Sequence, residues 1–254
     1  MPKPVSFDDT YEGKPEWQRA AFVKGLTRDA IEQNKDKPVP KSLPTDTWKG
    51  HQNHMINYYR ALVAVDESIG RVLDTLESLG ELDSTVIIFA GDNGYFHGEH
   101  RLGDKRLMYE EALRIPLLVR YPKMVRPRSV CPEMVLNIDI APTVLDLAEV
   151  AIPDTMQGES LRPLLAGQQT AWRKSFLYEY FEEDWLPGIP TMLGVRTEQW
   201  KYVQYPDIHD LDELYHLETD PYEMHNLAQD PSFNPRLVEM KGELGTLLRQ
   251  THYQ

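Results

Sequence analysis

The sequence predicts an α/β domain followed by a small antiparallel α+β subdomain, and three observations carry that expectation. A long amphipathic segment, His51 to Leu79, leads through a short turn into the apolar, β-branched stretch Val86 to Ala90, the order in which a helix is laid onto a sheet. A second strand-length apolar run, Ile115 to Val119, follows a polar loop. From about Gln168 the pattern changes to short aromatic-rich runs separated by turn residues, which reads as an antiparallel sheet. The expected division is therefore 1–168 and 169–254.

Taken in order, residues 1–15 read as extended loop, and Glu16 to Gln33 holds a short helix through Trp17, Ala21, Val23 and Leu26. Pro38, Pro40 and Pro44 break the chain again. Such an opening, without strand or packed helix, is unusual for an α/β domain and resembles the middle of a longer protein. In the helix from His51, Met55, Tyr59, Leu62, Val65, Ile69, Val72, Leu76 and Leu79 recur at three- and four-residue steps and form one stripe. Gly80 ends it. After the central loop, Leu107 to Leu113 predicts a short helix, Met134 to Ile138 a strand, and Ala141-Pro142-Thr143 a helix start. Leu161 to Leu165 is a helical turn closed by Gly167. Ser175 to Phe181, Met192 to Thr197, Trp200 to Tyr205 and Glu213 to Leu217 are the strands of the small sheet, and Leu237 to Leu248 a terminal amphipathic helix.

The 254 residues suffice for a sizeable core, and 41% apolar with 26% charged residues is ordinary globular composition. A formal charge of −13 argues against nucleic-acid and anionic-membrane partners. It leaves room for an anionic substrate, because His100, Arg101, Lys105 and Arg106 cluster in the central loop. The lone Cys131 excludes an internal disulfide framework and any multi-cysteine metal site. Without a base nearby in sequence, it reads as a small hydrophobe at a strand start.

Chemistry concentrates where the Val86 strand ends. Strand neighbours point to opposite faces, so Asp92 and Asn93 can reach one ion only where the chain leaves the strand, a departure that Gly91 and Gly94 permit. A carboxylate and an amide oxygen suit calcium or magnesium. The same triplet is ordinary turn chemistry, and two oxygens fall short of the roughly six to eight that calcium takes. Lys105, thirteen residues beyond Asp92, is either a compact cation for an anionic leaving group or a solvated surface lysine. His97 and His100 are candidate donors, acids or ligands, and equally exposed loop residues. Asp139 reads as a structural helix cap. Tyr178, Tyr180, Phe181 and Trp185 pack the small sheet or line a sugar-sized cleft, and Asp220-Pro221 with Glu223 and Asn226 forms a turn.

Read together, Gly91-Asp92-Asn93-Gly94-Tyr95, Gly98-Glu99-His100 and Asp104-Lys105-Arg106 resemble the formylglycine-dependent sulfatases, most of all bacterial members of the N-acetylglucosamine-6-sulfatase or mucin-desulfating kind. Ile115 to Val119, Asp139-Ile140-Ala141-Pro142-Thr143, Gln157 to Leu161, Glu213-Leu214-Tyr215 and Thr219-Asp220-Pro221 extend the likeness over residues 1–230. The resemblance implies an alkaline-phosphatase-like α/β sandwich with a small C-terminal antiparallel subdomain. It implies that Asp92 and Asn93 bind calcium or magnesium, that Lys105 contacts the sulfate and steadies the departing oxygen, and that His100 lies beside the substrate. It also implies a sulfated carbohydrate as substrate and a periplasmic or secreted setting.

One departure is large. The family nucleophile, a cysteine in a Cys-x-Pro-Ser-Arg or Cys-x-Ala-x-Arg setting that becomes formylglycine, has no counterpart, since Cys131 lacks the required neighbours. The paired aspartates and the upstream His-x-Pro histidine are absent as well. The resemblance therefore implies the C-terminal portion of a sulfatase, with formylglycine expected in an N-terminal segment or a separate chain. Two rival readings remain: a phosphonate or phosphodiester hydrolase of the same superfamily, and a non-catalytic glycan-binding remnant.

Overall fold

The computed structural model describes residues 3–43 and 49–251, the side chains of residues 49–54 excepted. The chain break expected at Pro44 lies outside the described residues. Contacts divide the chain into two units, one of Met1–Thr47, Tyr95–Leu113 and Lys174–Gln254, the other of Trp48–Gly94 and Arg114–Arg173. The expected single boundary at residue 168 thus differs from the contacts. Phe96, Leu107, Met108 and Tyr109, from the middle of the chain, share one apolar cluster with Met192, Val203, Tyr205 and Tyr215 of the C-terminal sheet.

In the second unit, α3 (Lys49–Ser78) is the expected amphipathic helix, one turn from the strand β1 (Ile87–Ala90). Its end is a Schellman motif: Gly80, at φ +73°, donates to the Glu77 carbonyl and Glu81 to that of Leu76, both at 2.9 Å. A side chain at Gly80 would have to adopt that left-handed conformation, which is why a glycine stops the helix. Strand β1 pairs antiparallel with β4 (Leu117–Arg120), Ile88 opposite Val119. The strand expected at Met134–Ile138 is instead loop and a 3-10 turn, Asn137–Asp139, that runs into α5 (Ile140–Leu147). Asp139 is the reason. Its carboxylate accepts from the backbone of Leu136 at 2.7 Å and Glu159 at 2.8 Å and binds Arg173 at 2.5 and 2.7 Å. A segment folded around a buried carboxylate cannot extend as a strand. Asp139 is structural as expected, but as this hub rather than a cap on α5. The unit closes with α6 (Arg162–Leu165). Cys131 is exposed, not packed as a hydrophobe at a strand start, because the strand it was to begin does not form.

The first unit is built on four antiparallel strands in sequential order: β5 (Ser175–Tyr180), β6 (Met192–Thr197), β7 (Trp200–Gln204) and β8 (Glu213–His216). One face packs α7 (Asn234–Gln250) through Met240 and Leu244 against Leu193, Val195, Tyr202 and Leu214. The opposite face takes Met108, which sits so close to Gly194 that a Cβ there would meet its sulfur at 2.0 Å. The short hairpin β2 (Phe96–His97) and β3 (Gly103–Asp104) and the turn α4 (Glu110–Leu113) belong here. The expected single helix over Glu16–Gln33 is two, α1 (Glu16–Lys24) and α2 (Arg28–Gln33), broken at Gly25. Asp210 caps α1, accepting from the backbone of Glu16 and Trp17 at 2.9 Å. Among the described residues no helix is long and apolar enough to cross a membrane.

Candidate functional site

The candidate residues fall in both units. In the second, the antiparallel pairing continues past β1, Gly91 donating to the Pro116 carbonyl at 3.2 Å. The chain then leaves the sheet at Asp92 and Asn93, as the flanking glycines predict. Asp92 is exposed and Asn93 half-buried. Asp92 Oδ1 accepts from the Asn93 backbone at 2.9 Å, and Asn137 donates to the Asp92 carbonyl at 3.2 Å, so the turn is tied to the start of α5. The Asn93 side-chain nitrogen donates to the Gly94 carbonyl at 2.6 Å, which sets the amide plane. The donors fit a hard cation in kind. Among the described residues no group of three or more His, Cys, Asp or Glu side chains completes a metal site.

In the first unit, the loop from Phe96 to Arg106 carries His100 and Lys105. It is strained: His100, Arg101, Asp104 and Arg106 all have positive φ. Conformations of this kind cost on the order of 1–3 kcal/mol each and persist only where the surroundings over-determine them. Those surroundings are the N-terminal segment. Tyr11 donates its hydroxyl to the His100 carbonyl at 2.5 Å, the His100 backbone donates to Ser6 Oγ at 3.3 Å, and Arg101 donates to the Phe7 carbonyl at 3.2 Å. The imidazole is fully enclosed, stacked on Tyr109 at 4.1 Å, with Nδ1 2.7 Å from Asp9. At the other end, Arg106 binds Glu183 at 2.7 Å and Asp104, lies over Trp185, and offers its carbonyl to Tyr178. Half-buried Lys105 stands between these two anchorages.

Behind the loop lies an ionic layer that sequence reasoning missed. Lys14, fully buried, binds Asp9 at 2.6 Å and is ringed by Tyr11, Tyr109 and Tyr215. Burial would raise the Asp9 carboxyl, but the His100 hydrogen bond and the Lys14 charge outweigh it and hold it at about 2. Glu213 accepts from Gln18 at 2.9 Å and from the hydroxyls of Tyr205 and Tyr215. Lys201 bridges Glu223 at 2.7 Å and Glu110 at 3.0 Å, and Glu223 also accepts from the backbone of Glu110 at 2.8 Å, pinning α4. Segment 3–15 reads as loop because its apolar residues follow no period; Ser6, Asp9 and Tyr11 reach His100 and Lys14 reaches Tyr109, all about ninety residues on, which spacing does not reveal. The resemblance sets His100 beside a substrate, whereas the structure encloses its ring and turns Nδ1 to Asp9. Of the aromatics, Tyr178 packs on the sheet, and Phe181 and Trp185 are 56% and 59% exposed.

A family model described as sulfatase matches residues 6–150, and one described as N-sulphoglucosamine sulphohydrolase, C-terminal, matches residues 98–250. An N-acetylglucosamine-6-O-sulfatase of Bacteroides thetaiotaomicron is 39% identical over 211 residues, covering 82% of this chain. The chain spans only 37% of that relative's length. A solved structure, described as a complex with its substrate D-glucosamine-2-N,6-O-disulfate, superposes with a TM-score of 0.78 at 30% identity, over 99% of this chain and 60% of that one. A phosphonate monoester hydrolase of Silicibacter pomeroyi superposes at 0.67 with 26% identity, over 74% of this chain and 39% of that one. With both family models each matching more than half of it, and with the alkaline-phosphatase-like fold of its sulfatase neighbours, the chain belongs to the sulfatase family.

Proposed function

We propose that this chain supplies the electrostatic part of a site that hydrolyses sulfate esters of amino sugars. One observation carries the reading: a single sulfatase-family match, residues 6–150, runs through Asp92 and Asn93 and through the loop bearing Lys105. Asp92 and Asn93 would hold a divalent cation, calcium or magnesium, which when bound neutralises negative charge on sulfate oxygens. Lys105, on a loop held at both ends, offers a compact positive charge to the oxygen that departs as the S–O bond breaks. Rigidity matters here because a cation already in place needs no reorganisation as charge develops. His100 acts through the loop rather than by touching substrate, since its ring is enclosed. The nucleophile, a hydrated formylglycine in the family, comes from residues this sequence does not contain. Exposed Trp185 and Phe181 offer aromatic faces of the kind that pack on sugar rings.

The 254 residues alone are expected to turn over neither a 6-sulfated N-acetylglucosamine nor an aryl sulfate. Grafted in place of the corresponding part of the Bacteroides relative, they are expected to support hydrolysis of the sugar sulfate. In that chimera Lys105→Ala lowers kcat about 10²–10³-fold, and Asp92→Ala abolishes calcium binding measured by calorimetry. A folded chimera that binds calcium but has no sulfatase activity overturns the reading. The likeness to a phosphonate monoester hydrolase supports a second reading. Preference of the chimera for phosphonate over sulfate esters would favour it.

A further inference from the structure

Two polar atoms buried in the first unit face each other without a hydrogen-bond partner: His100 Nε2 and Glu111 Oε2, 3.7 Å apart. The rest of the imidazole's bonding is determined. Nδ1 lies 2.7 Å from Asp9 Oδ2, and the ammonium of Lys14 lies 2.6 Å from that same oxygen. An ionised carboxylate only accepts, so Nδ1 must carry the hydrogen and donate it. Nε2 is then a lone pair. An ionised Glu111 would set a second lone pair against it, and a buried acceptor left unsatisfied costs about 1–3 kcal/mol.

A single proton between the two atoms satisfies both. We propose that Glu111 is a positioning residue: with His100 Nε2 it holds one proton, and this bridge fixes the imidazole and, through it, the strained loop that carries Lys105. The geometry suits the task. Glu111 sits on α4, whose start is pinned by Glu223 and Lys201, while its own carboxylate remains 21% exposed and can close the remaining gap. His100 in turn holds the left-handed turn of the loop, five residues before Lys105. The bridge is a feature of this chain's own fold and does not depend on the sulfate-ester reading.

The surrounding charges favour a retained proton. Burial raises the Glu111 carboxyl to about 7, against a backbone hydrogen bond, with Glu223 and Glu99 acting in the same direction as burial and Lys201 opposing. Burial lowers the His100 imidazole to about 4; Asp9 opposes it, and Lys14 and Lys201 reinforce it. Tyr109 stacks on the ring and Tyr11 donates to the His100 carbonyl; burial pushes both hydroxyls up, so they stay neutral. Arg101, next in the loop, donates to Phe7. Proton counting gives the signature. Between the ordinary values of 4.5 for Glu and 6.5 for His, the unfolded chain carries one proton on the imidazole and the folded pair carries one on the carboxyl side. The counts match, so the pair leaves global stability flat across that window. As pH rises through about 7 the folded pair loses its proton, and the stability it contributes declines.

The test follows the proton at the site, using the full chain with ¹⁵N-labelled histidine and long-range imidazole spectra from about pH 5 to about 9. The His100 signal is assigned by its Overhauser contacts to the Tyr109 ring. Expected is a hydrogen on Nδ1 throughout and a single Nε2 midpoint near 7. In Glu111→Gln the side-chain amide donates permanently, so the midpoint disappears while Nδ1 stays protonated. A merely structural glutamate would leave the histidine titration the same in both proteins. That result overturns the proposal, and so does a wild-type His100 that shows no midpoint or carries its hydrogen on Nε2. The wild-type titration decides even if the variant fails to fold, and neither readout needs substrate or metal.

Discussion

The two units of this chain differ in how many charges they bury and how much apolar surface they leave open, although the second also buries Asp139 against Arg173. The unit built on β5–β8 buries Lys14, Lys201, Asp9, Glu213, Glu223 and His100, each within reach of an opposite charge or a hydrogen-bond donor. The unit built on α3 leaves apolar residues in the open: Tyr59, Leu62, Val65 and Val72 on the helix are 44–60% exposed, and Leu118 on β4 is 65% exposed. A groove of about 490 Å³ runs between α3 and β1, lined by Val65, Ile69 and Val72 with Ile87, Ile88 and Phe89. Buried ion pairs tend to specify an arrangement more than they stabilise it, because desolvation offsets most of the Coulomb gain. The first unit therefore fixes the geometry of the Lys105 loop through charges, whereas the second presents Asp92 and Asn93 on a hydrophobic frame that is only partly covered.

The largest effect is expected where that ionic layer is broken on one side. Lys201→Met leaves Glu223, 1% exposed, without its cation. Removing one partner of a buried pair costs about 3–5 kcal/mol, read as a lowered denaturant midpoint by tryptophan fluorescence. Adding Glu223→Gln restores much of the loss, since a neutral amide keeps an acceptor for the Glu110 backbone and no longer needs a cation. If single and double variants are equally unstable, the layer contributes through packing, and the contrast between the units fails.

That layer is also where the sequence was least legible. The four strands of the small sheet, α3, α5 and the terminal helix follow from periodicity and turn residues, because in each the apolar positions recur at the element's own spacing. Asp92 and Asn93 announce themselves by following an apolar strand at once, and Lys105 by its place in a polar loop. Asp9, Lys14, Glu213 and Glu223 carry no local signal. Each has a partner remote in sequence, Asp9 in His100, Lys14 in Tyr109, Glu213 in Gln18 and Glu223 in Glu110, so the residues around it look like ordinary loop or turn. The Met134–Ile138 stretch misled for a related reason. Its apolar composition suits a strand, but the backbone turns toward Asp139, whose counterion Arg173 is 34 residues away.

Acid should separate the units next. Asp9 sits at about 2 rather than the ordinary 3.8. A carboxylate held low contributes stability that is present above 3.8 and lost as pH falls through 2. A shift of nearly two units corresponds to about 2 kcal/mol. Unfolding free energies from denaturant titrations at about pH 5 down to about 2 are expected to fall by that amount more in the wild type than in Asp9→Asn, whose amide cannot be protonated in this range. Parallel acid limbs would mean that Asp9 is not the group that ties the N-terminal segment to the loop.

The smallest effect belongs to the open face of α3. Val72, 60% exposed, lines the groove against β1. Val72→Lys replaces a β-branched residue with a better helix former, and the lysine stem can lie along the groove with its ammonium in water. Surface substitutions of this kind change stability by no more than about 0.5 kcal/mol. The same variant should bind less of an apolar dye, because it places a charge across a continuous hydrophobic strip. A loss nearer that of a core substitution, on the order of 2 kcal/mol, would mean that the strip is covered in solution. Sedimentation at several concentrations would then tell a second copy of the chain from an intramolecular cover, because only the former dissociates on dilution. A near-neutral result with reduced dye binding leaves the contrast standing: one unit whose charges are committed inward, and another whose apolar face is still open to water.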